Sequence, residues 1–211
     1  NREDGLLENL TATFFLLCSL LSAAIAIKYR HYSAGRVTHF VFAFGFFILA
    51  GEEISWGQRL LGIETLEIFA ENNVQNENNL HNLLGYAADH LAIIVVFTYG
   101  ALFSFLAKVY PFFKKLLYRL GIPIASTGVA IGFLITSLIH RWTIGHVVAP
   151  LPALRFAEMR EVLTGVMFLL LMIESFVDAK PSLQPPSKSG STTQLSLDGY
   201  GSSVLVRDPT S

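Results

Sequence analysis

The chain has 211 residues, of which 52% are hydrophobic and only 15% charged, with a net charge of −1 and a mean hydropathy of +0.50. Soluble domains carry roughly 25% charged residues, so this composition excludes a disordered chain, and the lack of a basic block excludes a nucleic-acid binder. The single cysteine, Cys18, lies in an apolar run, which removes disulfides and thiolate metal sites. The composition predicts an all-α, polytopic helical membrane bundle.

Five runs are candidate spans, expected at about residues 8–28, 37–60, 80–108, 122–140 and 155–177. Leu10 to Ile27 and Ile122 to Ile139 each run for 18 residues without a charge, and Leu91 to Ala107 for 17. These approach the roughly 20 residues that a bilayer-crossing helix needs. Val37 to Gly51 has 15 uncharged residues and Val162 to Ile173 has 12. At 1.5 Å per residue they reach roughly 22 and 18 Å against a hydrocarbon core of about 30 Å. They span only by drawing in flanking charges, Glu52 and Glu53 for one, Glu158 and Glu161 for the other. The first run is too long for a signal h-region and has no basic flank before it. Residues 1–179 therefore read as the bundle. Residues 180–211, rich in Ser, Pro, Gly and Thr, read as a disordered cytoplasmic tail.

Orientation follows from the basic residues. Lys28, Arg30, Arg36, Lys108, Lys114, Lys115 and Arg119 lie between spans one and two or three and four, while Arg59, Arg141 and Arg155 lie in the other loops. Lysine and arginine accumulate on the cytoplasmic side. The N-terminus is thus expected outside and the tail inside.

That orientation sends the acids and most histidines to one leaflet. Glu3, Asp4 and Glu8 precede span one, Glu52 and Glu53 end span two, and Glu77, His81, Asp89 and His90 enter span three. His140 and His146 follow span four, and Glu158, Arg160 and Glu161 open span five. Ionisable groups at membrane depth are costly and are functional candidates by default. Within Glu52-Glu53-Ile-Ser55-Trp56-Gly-Gln58-Arg59, a continuing helix would put Glu52, Ser55 and Arg59 on one face. Two adjacent carboxylates there need a cation, an arginine or a proton. The bland alternative is an ion pair to Arg59 with Trp56 as an interfacial anchor. Glu77 and His81 are one turn apart, a usable pair of metal ligands or an oriented general base, or else a helix cap. Glu158 and Glu161 also share a face, while Arg160 points elsewhere, toward a lipid phosphate or another carboxylate.

Glu52, Glu53 and His81 are therefore the candidate catalytic residues. Glu53, Glu77, His81, Glu158 and Glu161 are the candidate ligands for a divalent metal such as zinc, which suits an imidazole among carboxylates. No phosphate-binding loop, dinucleotide fingerprint or nucleophile elbow is present, which sets aside nucleotide-driven work and serine hydrolysis. Two readings of function remain. One is a metal-dependent hydrolase of a lipid or lipid-linked substrate in the outer leaflet. The other is a cation- or proton-coupled transporter, for which only His39, Glu174 and Asp178 are available on the cytoplasmic half. A non-catalytic assembly factor is a third.

The segments Arg2-Glu3-Asp4-Gly5-Leu-Leu-Glu8, Glu52-Glu53-Ile-Ser55-Trp56-Gly57-Gln58-Arg59 and Gln75-Asn76-Glu77-Asn-Asn79-Leu80-His81-Asn82 resemble a family of uncharacterised bacterial multi-pass membrane proteins. The resemblance covers roughly residues 2 to 178. It implies a small helical protein of the bacterial inner membrane, with one further span upstream of Asn1, and no activity. A looser likeness to membrane-embedded ceramidase-type hydrolases implies zinc among several helices. This chain departs from that pattern because it lacks a pair of His one turn apart on a late span.

Overall fold

A computed structural model describes residues 4–29, 32–58, 62, 64–65, 86–139 and 153–179. Every regular element among them is helical. Helix α1 is Asp4–Lys28 and α2 is Ser33–Glu53, closed by a 3-10 turn at Ser55–Gly57. Helix α3, Tyr86–Val96, continues through a wider π-helical stretch, Phe97–Phe103, into α4, Ser104–Val109. After these come α5, Pro111–Leu120, α6, Thr127–Leu138, and α7, Ala153–Asp178.

Three segments are long and apolar enough to cross a membrane: Gly5–Lys28, Ser33–Glu53 and His90–Val109. Helix α7, with 26 residues, is about 39 Å long. Its composition sets it apart, because every 18-residue window within it holds at least three charged residues. Helix α6 has 12 residues, about 18 Å, instead of the full 122–140 span expected. Pro123 and the Ser126 cap account for the late start. Ser126 Oγ accepts from the Val129 N–H at 3.3 Å, the geometry of a helix N-cap.

The run from Ile122 to Ala125 ahead of α6 is not helical. Irregular backbone shielded from water needs partners from the protein itself, and neighbouring helices supply them. The Tyr99 hydroxyl donates to the Pro123 carbonyl at 3.3 Å, and the Ala125 N–H donates to Ser104 Oγ at 3.2 Å. The Ser126 N–H donates to the Glu174 carboxylate of α7 at 3.0 Å. Glu174 is therefore a structural acceptor at the start of α6.

The passing segments alternate in direction. Near one end, Ser33 begins α2, and the Lys28 ammonium at the end of α1 donates to the Phe176 carbonyl at 2.9 Å and sits 3.3 Å from the centre of its ring. Lys108, at the end of α4, reaches Thr127 Oγ1 at 2.9 Å. Helices α1 and α7 thus run parallel, and α2 packs antiparallel on the α1 side. Lys28, in the last turn of α1, complements that helix's dipole.

The core is aromatic. Phe168 of α7 packs edge-on to Phe133 at 4.9 Å and to Phe46 at 5.3 Å, and stacks on Tyr99 at 6.1 Å between centroids. Phe42 stacks on Tyr99 at 5.7 Å, and Phe15 stacks on Phe46 at 6.1 Å. Small residues let the helices close around these rings. A Cβ at Gly100, in the π-helical stretch, would strike the Phe133 ring, and one at Gly132 would strike Met167. This small-residue packing is how helices associate in lipid, where apolar side chains gain nothing by leaving the hydrocarbon. Hydroxyls add cross-links: Ser19 Oγ donates to the Ala43 carbonyl at 2.8 Å.

Two expectations need correction. Span two was expected to run to residue 60, but α2 ends at Glu53. Two carboxylates at a helix C-terminus oppose the dipole, and the next residues leave helical geometry. The segment between spans three and four, expected only as a basic loop, folds into the helix α5. Span three begins, as described, at Tyr86; residues 80–85 of its expected range and the 180–211 tail lie outside the described residues.

Candidate functional site

The acids gather where three helices meet. Glu8 comes from the second turn of α1, Glu52 and Glu53 from the last turn of α2, and Glu161 from the early turns of α7. Glu53 is partly buried, and the charges of Glu161, Glu8 and Glu52 all act on it. The antiparallel course of α2 against the parallel pair α1 and α7 brings these residues to one end. A carboxylate under the charge of three others is repelled by each unless positive charge or protons intervene.

Arg160 lies one residue before Glu161 and is buried, 7% exposed. Of the two expected partners, a lipid phosphate or another carboxylate, burial disfavours the lipid phosphate, since the residue is enclosed by protein. A guanidinium taken out of water needs a partner, and Arg160, Glu8, Glu52, Glu158 and Glu161 are all engaged in interactions.

The turn after α2 shapes this end. Ser55 and Trp56 take left-handed backbone conformations, φ 47° and 54°, followed by Gly57 at φ 76°. Non-glycine residues in that region cost about 1–2 kcal/mol each. Strain of this kind persists only where surrounding structure over-determines it, and it gathers at functional sites. Three contacts hold it here. The Gly57 N–H donates to the Ile54 carbonyl at 2.9 Å, and Trp56 Nε1 donates to Glu52 Oε1 at 2.8 Å. The indole also packs edge-on to Phe47 at 6.3 Å.

Trp56 folds back over the last turn of α2, and Gly51 makes room for it. A Cβ at Gly51 would lie 2.8 Å from Cε3 and Cζ3 of the indole. The expected helical face does not carry from Glu52 to Ser55, because the helix stops before Ser55; its third member, Arg59, lies outside the described residues. Ser55 is buried at the turn. Trp56 is more than an interfacial anchor: its N–H orients the Glu52 carboxylate and leaves Glu53 turned toward α1 and α7. Farther on, Gln58 Nε2 donates to Thr65 Oγ1 at 2.8 Å, tying the next segment to the turn.

The structure thus brings together Glu52, Glu53 and Glu161, with Glu8 added, and places Glu158 on the same helix end. Glu77, His81, Arg59, His140 and His146 lie outside the described residues. Among the described residues, no group of three His, Cys, Asp or Glu side chains is close enough to hold a metal ion. A metal at this end would take further donors from outside the described residues, among which are the expected ligands Glu77 and His81.

Polar groups at the opposite end are arranged differently. His39 is 2% exposed and packed between the rings of Tyr29 at 5.5 Å and Phe42 at 6.1 Å. Among the described residues its Nδ1 is the buried side-chain atom without a hydrogen-bond partner. The Tyr29 hydroxyl is held above the usual phenol range by burial and then by the charges of Asp178, Tyr32 and Tyr118. As expected, His39 stands apart from the acidic cluster. Comparison with known proteins found no matching family model, curated protein or solved structure.

Proposed function

We propose that this chain is a five-span protein of the bacterial inner membrane, with its N-terminus outside and its tail in the cytoplasm. Its working end is the outward carboxylate cluster. Three membrane-length helices support the membrane reading. Two further crossings are α7, whose charges lie mostly in its first turns, and α6 with the extended run before it, whose backbone is satisfied by Tyr99, Ser104 and Glu174. The resemblance to bacterial multi-pass membrane proteins fits the same reading.

The activity we assign to that end is hydrolysis of a lipid or lipid-linked substrate. Glu53 carries the reading: a partly buried carboxylate under the charge of three others, from three different helices. A carboxyl group so placed can hold or take a proton at a headgroup linkage, while Glu52, oriented by Trp56, keeps its place. Glu53 and Glu161, with Glu158 on the same helix face and with Glu77 and His81, would hold a divalent metal, zinc by the chemistry of those donors, and such an ion would supply a Lewis acid and offset the repulsion among the acids. Metal analysis of detergent-purified protein tests this, repeated on His81→Ala. Stoichiometric metal that the variant loses supports the hydrolase. Metal-free wild-type protein removes it.

The second reading, proton-coupled transport, draws on His39. A buried imidazole with an unpartnered nitrogen near the other end offers a second proton-handling position. Proteoliposomes under an imposed pH gradient separate the two readings. A transporter takes up protons with its solute, and His39→Phe abolishes uptake, whereas a one-sided hydrolase is indifferent to that change.

A further inference from the structure

Helix α5 divides its residues sharply. Phe112, Phe113, Leu116, Leu117 and Leu120 occupy one face, and Lys114, Lys115, Tyr118 and Arg119 the other. The bundle covers only part of the apolar face. Leu117 is buried, and Phe113 packs edge-on to Phe103 at 5.3 Å. Phe112 is left 79% exposed, with Leu116 and Leu120 also exposed beside it.

The helix is fastened at defined points. Pro111 begins it, and Gly121 ends it in the left-handed conformation at φ 67°. The Ile122 N–H donates back to the Leu117 carbonyl at 2.9 Å. From α2, the Tyr32 hydroxyl donates to the Tyr118 carbonyl at 2.8 Å and to that of Arg119, and Thr38 Oγ1 donates to the Leu120 carbonyl. A Cβ at Gly121 would strike the Gly35 backbone, so the two chains meet closely there. The exposed apolar edge is thus held in a fixed position.

Two other basic groups at this end bond to the bundle itself. Lys28 serves the Phe176 carbonyl and Lys108 serves Thr127. Lys114, Lys115 and Arg119 all lie on exposed positions of α5. On the helical wheel Lys115 and Arg119 lie on one side of Phe112, about 60° and 20° from it at 100° per residue, and the apolar residues lie on the other. An apolar edge bordered by cations matches the boundary between acyl chains and anionic headgroups.

We infer that α5 lies in the cytoplasmic headgroup layer, with Phe112, Leu116 and Leu120 in the acyl boundary and Lys115 and Arg119 on anionic lipid phosphates. This inference rests on the membrane reading above and is independent of the chemistry at the outward end. A soluble partner or a second copy of the chain would bury Phe112 and Lys114 alike, whereas a bilayer surface separates them.

The experiment places a nitroxide at Phe112→Cys or Lys114→Cys in full-length protein, with Cys18 left buried in the core. The vesicles contain phosphatidylcholine with or without phosphatidylglycerol. At position 112 the label is accessible to oxygen and shielded from a water-soluble nickel chelate; at position 114 the pattern reverses. Equal aqueous access at both positions, or shielding from both reagents, overturns the inference. In the same vesicles, Lys115→Gln with Arg119→Gln lowers the preference for phosphatidylglycerol, by up to about fivefold per charge. An unchanged preference also overturns it. Labelling from one side of the membrane tests orientation separately, since an inverted protein keeps the depth contrast but places it in the other leaflet.

Discussion

Replacing Gly51 with alanine acts against the usual trend. A glycine within a helix normally costs about 0.5–1 kcal/mol relative to alanine, so the change should stabilise. At Gly51 the new Cβ would stand 2.8 Å from two carbons of the Trp56 ring. The indole must swing away, which breaks the 2.8 Å bond from Nε1 to Glu52 and the edge contact with Phe47. Trp56 is 47% exposed, so the hydrogen bond is taken at about 1 kcal/mol, below the range for bonds to buried charges. The ring contact adds about 0.5–1 kcal/mol. After the helical gain is subtracted, Gly51→Ala destabilises by about 1 kcal/mol. Gly45, in the same helix, has nothing within 4 Å of a built Cβ. Gly45→Ala therefore stabilises by about 0.5–1 kcal/mol. Unfolding by sodium dodecyl sulfate in mixed micelles, followed by circular dichroism, measures both. If the two variants shift stability in the same direction, the fold-back of Trp56 is refuted.

Further outcomes follow from the packing and the charges. Phe168→Ala leaves the helices in lipid when separated, so only the cavity contributes; roughly 100 Å³ at about 24 cal/mol per Å³ makes about 2–3 kcal/mol, read in the same titration. Arg160→Met removes a buried cation beside the acids and costs about 3–5 kcal/mol, whereas a loss below 1 kcal/mol would show that Arg160 has no structural role. Single cysteines in the 63–79 segment react with an impermeant reagent from outside, and those at 112–119 do not; the reverse pattern inverts the orientation. Deleting residues 181–211 leaves expression and melting temperature nearly unchanged, because they carry no apolar face to bury.

Much of the architecture was legible because it follows from run length. The uncharged stretches around Cys18, Phe46 and Leu102 became helices near their expected places. The acids flanking the two short runs had to sit at one end, and Glu52, Glu53 and Glu161 do so, joined by Glu8 from the first helix. What the residues alone concealed depends on contacts between distant segments. The end of α2 had a local signal, two acids followed shortly by Gly57, but the left-handed turn at Ser55 and Trp56 depends on Gly51 receiving an indole. Glu174 read as an ionisable residue at membrane depth and proved to be an acceptor for the Ser126 N–H, 48 positions away. The two-faced pattern of α5 was present in Phe112 to Leu120, but counting lysines for orientation hid the helix that carries them.

The central claim is that a cation resolves the repulsion among the outward carboxylates. Metal content per chain, measured on extensively washed wild-type protein and on Glu53→Gln, tests it most directly. The account predicts about one equivalent of divalent metal in the wild type, lost in the variant, with chelator lowering the melting temperature of the wild type alone. Metal-free wild-type protein, with Glu53→Gln more stable than the parent, would contradict it, because the acids would then form a cluster that neutralisation relieves.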